Sequence, residues 1–285
     1  MFGKTVQQRH FSPSSFWGIL VIHLLALMAP FTFTRAGFLV FSVMVFITAP
    51  VGITMGFHRL LTHGSFETPK LIRYLLTFCG CLALQDGPIQ WVATHRLHHK
   101  ETEQDQDPHS PAQGFLWAHL LWNFYKHPLL KDLDSLRQYA PELCRDPVLL
   151  FFNRYYAVLY IFLAVLVWGI GSLVGGWKIG LSLFIWGFAL RTVYTWHTTW
   201  LVNSVCHVWG YQTYQTANNS RNNWWVALLT FGEGWHNNHH AQPRSARMGF
   251  AWYEIDMTYW IIYLLYKIGL AKKIVQPNTS AFKPF

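Results

Sequence analysis

Histidine clusters are the part of this sequence best suited to chemistry. Two segments, W-V-A-T-H-R-L-H-H-K at 91–100 and W-H-N-N-H-H at 235–240, each carry three histidines at positions i, i+3 and i+4. On an α-helix this spacing places three imidazoles on one face, and neutral imidazole is the commonest nitrogen ligand for transition metals. One histidine near a helix end is usually an ordinary polar residue, but a doubled cluster indicates metal binding. The six histidines are His95, His98, His99, His236, His239 and His240.

Two further segments supply candidate ligands, with His58 and His63 in G-F-H-R-L-L-T-H-G and Asn203 and His207 in L-V-N-S-V-C-H. Together with the two clusters they offer more nitrogen ligands than one tetrahedral zinc ion uses, so we expect a site for two metal ions. The pair His58 and His63 is weaker evidence, because a five-residue step turns about 140° around an ideal α-helix. These two rings can meet only if the helix bends or ends between them.

Acidic residues near the clusters are candidates for positioning the imidazoles. Asp105 and Asp107 could each accept a hydrogen bond from the outer nitrogen of a metal-bound histidine, and Glu233 could do the same. For the two aspartates a helix cap or an Asx turn before Pro108 is an equally good interpretation. The remaining histidines lack the repeated spacing, and we interpret them as hydrogen-bonded or exposed residues: His10, His23, His109, His119, His127 and His197. For His197 a position in the lining of a substrate channel is the alternative.

The elements that must position these residues are those of a membrane protein. Hydrophobic residues make up 52% of the chain and charged residues only 12%. Four apolar runs are near the roughly 20 residues needed to cross a bilayer: residues 16–33, 37–57, 151–174 and 177–202. Short breaks within each pair predict two transmembrane hairpins. The apolar stretch 71–91 begins and ends beside histidine clusters, so we expect a re-entrant or interfacial helix there.

The distribution of basic residues predicts the orientation. Eighteen lysines and arginines lie in the segments before, between and after the two hairpins, against two in the opposite loops. By the positive-inside rule both termini and every candidate ligand then lie on the cytosolic side. The predicted fold is a single all-α integral membrane domain over residues 1–285, with four transmembrane helices and a cytosolic helical cap formed by residues 58–150 and 203–285.

Several classes of protein are disfavoured. The basic residues are scattered through apolar sequence without a nucleic-acid motif, so we expect no nucleic-acid partner. The four cysteines form no C-x-x-C pair, which argues against disulfides and iron–sulfur clusters. No H-E-x-x-H or nucleophile-elbow motif supports a hydrolase. A metal transporter or storage protein would place histidines through the membrane depth rather than at the cytosolic ends of helices.

The motifs together resemble those of the membrane fatty-acyl desaturases. These motifs are H-R-L-L-T-H at 58–63, H-R-L-H-H at 95–99, L-V-N-S-V-C-H at 201–207 and G-E-G-W-H-N-N-H-H at 232–240. The resemblance extends from about Phe16 to Leu270. It is greatest to the delta-9 stearoyl branch and, within that branch, to the bacterial and cyanobacterial acyl-lipid type.

The resemblance implies a di-iron centre whose ligands are the nine histidines, with Asn203 reaching one metal through water and no catalytic residue beyond the metal ligands. It implies O₂ as co-substrate, two electrons per turnover, and a cis double bond at carbon 9 of a saturated acyl chain. A kinked, closed tunnel lined by aromatic residues would select the bond. A related di-iron membrane hydroxylase or alkane monooxygenase is the alternative enzyme.

The resemblance also bears on partners and location. No haem-binding cytochrome b5 domain follows the last cluster, so the electron donor is expected to be a separate protein, with ferredoxin favoured and a cytochrome b5-like protein as the alternative. Ala93 and Thr94 stand where animal acyl-CoA enzymes have an arginine–aspartate pair. This favours glycerolipid-bound acyl chains over acyl-CoA. The expected location is a bacterial plasma membrane or thylakoid membrane, with the active site on the cytosolic side.

Overall fold

The computed structural model describes residues 9–278, which are mostly helical. The α-helices are α1 Pro13–Ala26, α2 Arg35–Phe46, α3 Lys70–Cys81, α4 Pro88–Glu101, α5 Phe115–His119, α6 Leu133–Tyr139, α7 Pro147–Gly175, α8 Trp177–Phe184, α9 Arg191–Ser204, α10 Trp224–Leu229, α11 His236–Ala241 and α12 Met257–Lys267. Two π-helices, π1 Ile47–Thr62 and π2 Ile185–Leu190, continue α2 and α8 without a break. Short 3₁₀ turns occupy Ala29–Thr32, Pro111–Gln113, Leu121–Phe124, Pro128–Leu130, Leu143–Arg145 and Val205–His207.

The first predicted hairpin corresponds to α1 followed by α2 and π1. Helix α1 begins where Ser12 accepts a hydrogen bond from the Ser15 backbone amide and Pro13 takes the first helical position. It ends at Ala26, earlier than expected, because the chain tightens into a 3₁₀ turn that contains Pro30. Helix α2 restarts at the Thr34 cap, and the combined helix Arg35–Thr62 is 28 residues long.

The second predicted hairpin corresponds to α7 followed by α8, π2 and α9. Asp146 caps α7 by accepting from two backbone amides, and Gly176, at φ +80°, ends the helix with a left-handed turn. Among the described residues, Arg35–Thr62 and Pro147–Gly175 are the helices long and apolar enough to cross a membrane. The arrangement of four spans in two hairpins stays a prediction.

The stretch at 71–91 contains two short helices, α3 and α4, joined by a turn. Leu84 and Asp86 adopt positive φ angles in this turn, which reverses the chain before α4. Asn153 on α7 caps α4 by accepting from the backbone amides of Ile89 and Gln90, at 3.0 Å each. The twelve residues of α3 extend only about 18 Å, less than the hydrocarbon thickness. The re-entrant or interfacial position of this stretch stays a prediction. The cap by Asn153 anchors the helix of the H-R-L-H-H segment on α7.

One small sheet departs from the all-α prediction. Strand β1 (His10–Phe11) pairs antiparallel with β2 (Tyr125–Lys126), with His10 opposite Lys126. Two residues are too short to show an alternating pattern in the sequence. The pairing attaches the start of α1 to the segment between α5 and α6.

Helices π1 and α3 pack at unusually close range. A Cβ atom added at Gly52 would lie 2.5 Å from the backbone carbonyl carbon of Cys79, and one added at Gly80 would lie 2.4 Å from the Phe57 ring. Phe57 itself is fully buried in the core between π1, α4 and α7. The histidines at the end of π1 are therefore positioned by backbone packing against α3.

We expect the substitution Gly52→Ala to destabilise the protein by about 1–3 kcal/mol, because the new methyl group meets backbone atoms that cannot rotate away. Thermal unfolding in detergent, followed by tryptophan fluorescence, measures this. Gly169→Ala is the matched control, since Gly169 on α7 has no atom within 4 Å of an added Cβ. Equal unfolding midpoints for the two variants would contradict the packing argument.

Candidate metal centre

The nine histidines that the sequence singles out lie together in two groups. Within each group the candidate ligand atoms are all within 4.8 Å of one another. The first group consists of His58, His63, His95, His99 and His239, and the second of His98, His207, His236 and His240. Helices π1, α4 and α11 and the turn after α9 each contribute, so each group draws on distant parts of the chain.

The π-helix resolves the spacing problem at His58 and His63. The His63 backbone amide donates to the His58 carbonyl oxygen at 3.2 Å, an i→i+5 hydrogen bond. In this wider helix a five-residue step brings side chains back to one side, whereas in an α-helix it does not. The two ring centroids lie 4.8 Å apart, and the helix ends at Thr62 between the two rings. This confirms the expectation that the helix bends or ends between His58 and His63.

The inner nitrogens of the rings face one another. In the first group the Nε2 atom of His239 lies 3.1 Å from that of His58 and 2.8 Å from that of His99, and His99 and His95 are 3.0 Å apart at the same atoms. In the second group the Nε2 atom of His236 lies 3.1 Å from that of His207 and 3.0 Å from that of His240. These distances bring the lone pairs of several rings to two common points.

Carboxylates contact the Nδ1 atoms, the outer nitrogens, of three histidine rings. The Nδ1–H groups of His98 and His207 donate to Asp107 Oδ1 and Glu103 Oε1, each at 2.9 Å. His58 Nδ1 makes the same kind of contact with Glu233. A carboxylate only accepts hydrogen bonds, so in each neutral ring the proton lies on Nδ1 and the Nε2 lone pair points inward.

This arrangement fits metal ions. A ring nitrogen carries at most one proton and directs it one way, so hydrogen bonds among the rings cannot satisfy such crowded Nε2 atoms. The Nε2 atoms of His63 and His98 are buried and have no hydrogen-bond partner among the described residues. A divalent cation satisfies several imidazole lone pairs at once. Each group can therefore hold one metal ion.

The surroundings keep the rings neutral. Burial first, and then the neighbouring histidines, hold the pKa values of six rings well below the usual value. The six are His63, His95, His99, His236, His239 and His240. Neutral imidazole is the form that binds metals, so these rings need no deprotonation at neutral pH.

Asp107 combines the two roles that the sequence leaves open. Its Oδ1 atom accepts from His98 and also from the His109 backbone amide at 3.2 Å, and its Oδ2 atom accepts from the Glu103 amide at 2.9 Å. It thus orients a ring and shapes the turn after α4. Asp105 is exposed in that same turn, outside the two groups.

Glu103 and Asn218 are site residues that sequence reasoning missed. Glu103 adopts φ +62° just past the end of α4, and this turn directs its carboxylate to His207. Asn218 lies 3.3 Å from His240 Nδ1 through its side-chain nitrogen. The run of acidic residues after the H-R-L-H-H segment was the available signal, but the end of α4 decides which of them faces the rings.

Glu233 also belongs to a buried charge network. It pairs with Arg59, whose Nη2 atom is 3.0 Å from Glu233 Oε1 and whose Nη1 atom is 2.9 Å from Asp256 Oδ2. Burial opposes ionisation of Glu233, but His58 and Arg59 together keep its pKa below the usual value. One glutamate therefore links the first metal group to the segment that precedes α12.

A cavity of about 560 Å³ leads to the histidines. His95 and Asn203 line it beside aromatic side chains that include Trp91, Trp196 and Trp200. Asn203 also lines a smaller cavity together with His95 of the first group and His236 of the second. The large cavity has the size and apolar lining of a ligand pocket, and Asn203 lines both it and the smaller cavity that reaches His95 and His236.

Three hydrogen-bonded side chains form one wall of the same cavity. Gln85 Nε2 donates to Thr199 Oγ1 at 3.0 Å, and Trp91 Nε1 donates to Gln85 Oε1 at 3.5 Å. All three residues line the cavity. The turn between α3 and α4 is thereby fixed to α9 next to His95.

Comparisons with known proteins agree with these observations. The fatty acid desaturase family matches residues 33–269 of this chain. An sn-2 palmitoyl-lipid 9-desaturase of Nostoc sp. (strain 36) is 45% identical, over 96% of this chain and 95% of that protein. An sn-1 stearoyl-lipid 9-desaturase of Anabaena variabilis is 44% identical, over 90% of each chain. Icosanoyl-CoA 5-desaturase of Limnanthes douglasii is 41% identical, over 92% of this chain and 72% of that protein.

We expect Asp107→Asn to weaken binding of a divalent metal such as Zn²⁺ or Fe²⁺ by about 10–100-fold, because the His98 ring loses its charged acceptor. Equilibration against a competing chelator, followed by elemental analysis of bound metal, measures the change. Asp105→Asn removes the same charge two residues away and should leave metal content unchanged. Equal metal affinity in both variants would show that Asp107 does not position His98.

Proposed function

This chain belongs to the fatty acid desaturase family and is an oxidoreductase. We propose that it introduces a cis double bond at carbon 9 of saturated acyl chains carried by membrane glycerolipids, using two iron ions and O₂. The observation that carries the proposal is the convergence of two groups of inward-facing Nε2 atoms beside an apolar cavity. The same cavity offers space for a chain next to His95.

The nine histidines would hold the two irons, five in the first group and four in the second. Asn203 would reach a metal through a water molecule, since it lines a small cavity together with His95 and His236. The irons supply O₂ activation and the oxidising power for removing two hydrogens. With two electrons and two protons from outside, one O₂ and one saturated chain give two waters and one alkene.

The residues of the chain itself would position and protect the reaction. Asp107, Glu103 and Glu233 hold protons on the outer nitrogens and so keep the inner nitrogens available. The wall formed by Gln85, Thr199 and Trp91 would turn the acyl chain so that one C–C bond faces the site. Holding one bond in place is enough to set the position of the double bond, because orientation contributes several kcal/mol to such reactions.

The structure supports a lipid-bound acyl chain over acyl-CoA. Ala93 is fully buried in the core beside Leu97, and the Thr94 hydroxyl donates within its own helix to the Gln90 carbonyl oxygen. Neither position offers a charged contact to a CoA phosphate. The two cyanobacterial relatives are named as lipid desaturases, while the Limnanthes relative, named for an acyl-CoA, keeps that substrate form as the alternative.

The protein is membrane-associated, with two candidate membrane-crossing helices among the described residues. We place four spans in two hairpins, with α1 extended by the 3₁₀ turn Ala29–Thr32 and the continuous helix from α8 to α9 as the other two. Both termini and the metal pocket would then lie on the cytosolic side of a bacterial plasma or thylakoid membrane. A separate electron donor, ferredoxin in preference to a cytochrome b5-like protein, would bind there.

The test is lipid analysis of a host that lacks desaturases and expresses this chain together with a compatible ferredoxin and its reductase. We expect cis-9 monounsaturated chains with the parent protein and none with His98→Ala, because the second metal group loses one of four ligands. His10→Ala, in an exposed strand outside the pocket, is the matched control and should retain full activity. Gas chromatography with mass spectrometry identifies the products.

Two outcomes of this experiment would contradict the proposal. Hydroxylated chains without alkene would indicate a related membrane hydroxylase. New alkene that appears first in the acyl-CoA pool, before any glycerolipid, would replace the lipid-bound substrate by acyl-CoA.

We expect Thr199→Val to spread the double bond over positions neighbouring carbon 9 and to lower the rate, because the side chain keeps its shape but no longer accepts from Gln85. Mass spectrometry of disulfide adducts of the products gives the double-bond positions. Thr48→Val is the control, since the buried Thr48 hydroxyl donates only within its own helix, to the Met44 carbonyl oxygen at 2.7 Å. An unchanged single product from both variants would rule out the wall as the determinant of position.

A further inference from the structure

The cavity of about 560 Å³ beside the two histidine groups has an open side. Trp17 and Val21 on α1 and Ile161 on α7 all line it, yet these side chains are 60%, 48% and 58% exposed. A side chain that lines a cavity and is also half exposed lies at an opening. The expected tunnel is closed, whereas this cavity opens sideways between α1 and α7, and we call this opening the α1/α7 slot.

Helix α1 is attached to the protein from its other faces. His23 Nε2 lies 3.0 Å from His197 Nε2 on α9, and His197 Nδ1 lies 2.9 Å from His119 Nε2 on α5. At the start of α1 the Ser12 backbone amide donates to the Phe124 carbonyl oxygen at 2.7 Å, and the Phe16 ring packs on Phe124. These contacts hold α1 against α9 and the 3₁₀ turn at 121–124, so the slot lies on the side turned toward α7.

The slot faces the region where lipid chains would be. Helix α7 is one of the two candidate membrane-crossing helices, and α1 is a shorter apolar helix. The residues beside the slot on α7 are apolar and exposed, with Val158 60% and Phe162 65% accessible. Exposed apolar surface of this extent on a membrane helix contacts acyl chains.

The cavity has polar lining at the start of α1. Ser14 and Ser15 at the start of α1 and Asn123 in the 3₁₀ turn line it there. These hydroxyl and amide groups can hydrogen-bond ester or hydroxyl oxygens, and Ser14 is exposed. These three residues therefore give the cavity a polar rim beside the slot residues Trp17 and Val21.

A glycerolipid has two acyl chains joined at one glycerol, and an opening that faces the lipid lets one chain enter while the other stays in the bilayer. We infer that the α1/α7 slot admits one chain of a diacyl glycerolipid sideways from the bilayer, with the glycerol at the rim of Ser14, Ser15 and Asn123 and the second chain left in the membrane. This inference rests on the proposed desaturase function. It adds the route of entry and names the slot as the feature that accommodates a two-chain substrate.

Gly18 makes the inference testable. It lies on α1, lines the cavity, and has no atom within 4 Å of an added Cβ. Gly18→Leu would place a larger side chain in the cavity lining, and its Cβ would have no other atom within 4 Å. Gly169→Leu is the matched control, because Gly169 on α7 is equally unhindered and lies outside the cavity lining.

The experiment compares desaturation of a diacyl lipid with that of the corresponding one-chain lysolipid, using purified enzyme in vesicles with a ferredoxin donor. We expect Gly18→Leu to lower the ratio of diacyl to lysolipid rates about tenfold, while Gly169→Leu leaves the ratio at the parent value. An equal loss of rate with both substrates, or no loss with either, would overturn the inference that the slot admits the lipid. Alkene formation by the parent enzyme separately tests the proposed function.

A reversible cross-link gives a second test if Gly18→Leu does not fold. The double variant Val21→Cys with Ile161→Cys places one thiol on each side of the slot, and a flexible bis-methanethiosulfonate reagent would bridge them. We expect diacyl-lipid activity to fall on cross-linking and to return on reduction, with the single variants unaffected. Full activity in protein that mass spectrometry shows to be cross-linked would overturn the inference.

Discussion

The hydrogen bonds between carboxylates and the outer histidine nitrogens determine what the pocket can bind. Asp107 and Glu103 direct the inner nitrogens of His98 and His207 toward common points, and Glu233 does so for His58. Without these acceptors the rings could adopt the other tautomer, with the proton on Nε2, and hydrogen-bond to one another. With them, buried lone pairs face each other, which is unfavourable unless a cation is present. The positions of these three carboxylates therefore make the two histidine groups suitable for binding metal ions.

The fold brings these acids to the rings by unrelated local means. A left-handed turn just past α4 positions Glu103, an Asx-type turn positions Asp107, and an ion pair with Arg59 positions Glu233. Arg59 is 1% exposed and pairs with both Glu233 and Asp256, so loss of either carboxylate would leave buried charge uncompensated and would destabilise the protein. The same side chains therefore serve the metal pocket and the stability of the helices around it.

The histidines could be predicted from the sequence because their spacing is local. His95, His98 and His99 share a helix face whatever the helix packs against, and the structure indeed brings all nine histidines together. The π-type hydrogen bonding at His58, the small sheet at His10 and the role of Glu103 could not be predicted. Each depends on packing or on the residue at which a helix ends, and neither follows from residue type. The open side of the cavity likewise depends on how α1 is held by α9.

The distance along the chain between partners has a consequence for synthesis. Arg59 and Glu233 are 174 residues apart, and the second histidine group needs residues from His98 to His240. A nascent chain that has not yet reached residue 240 cannot complete this group, and Arg59 lacks both of its carboxylate partners until Glu233 and then Asp256 are made. The two histidine groups that can hold metal ions are therefore complete only late in synthesis.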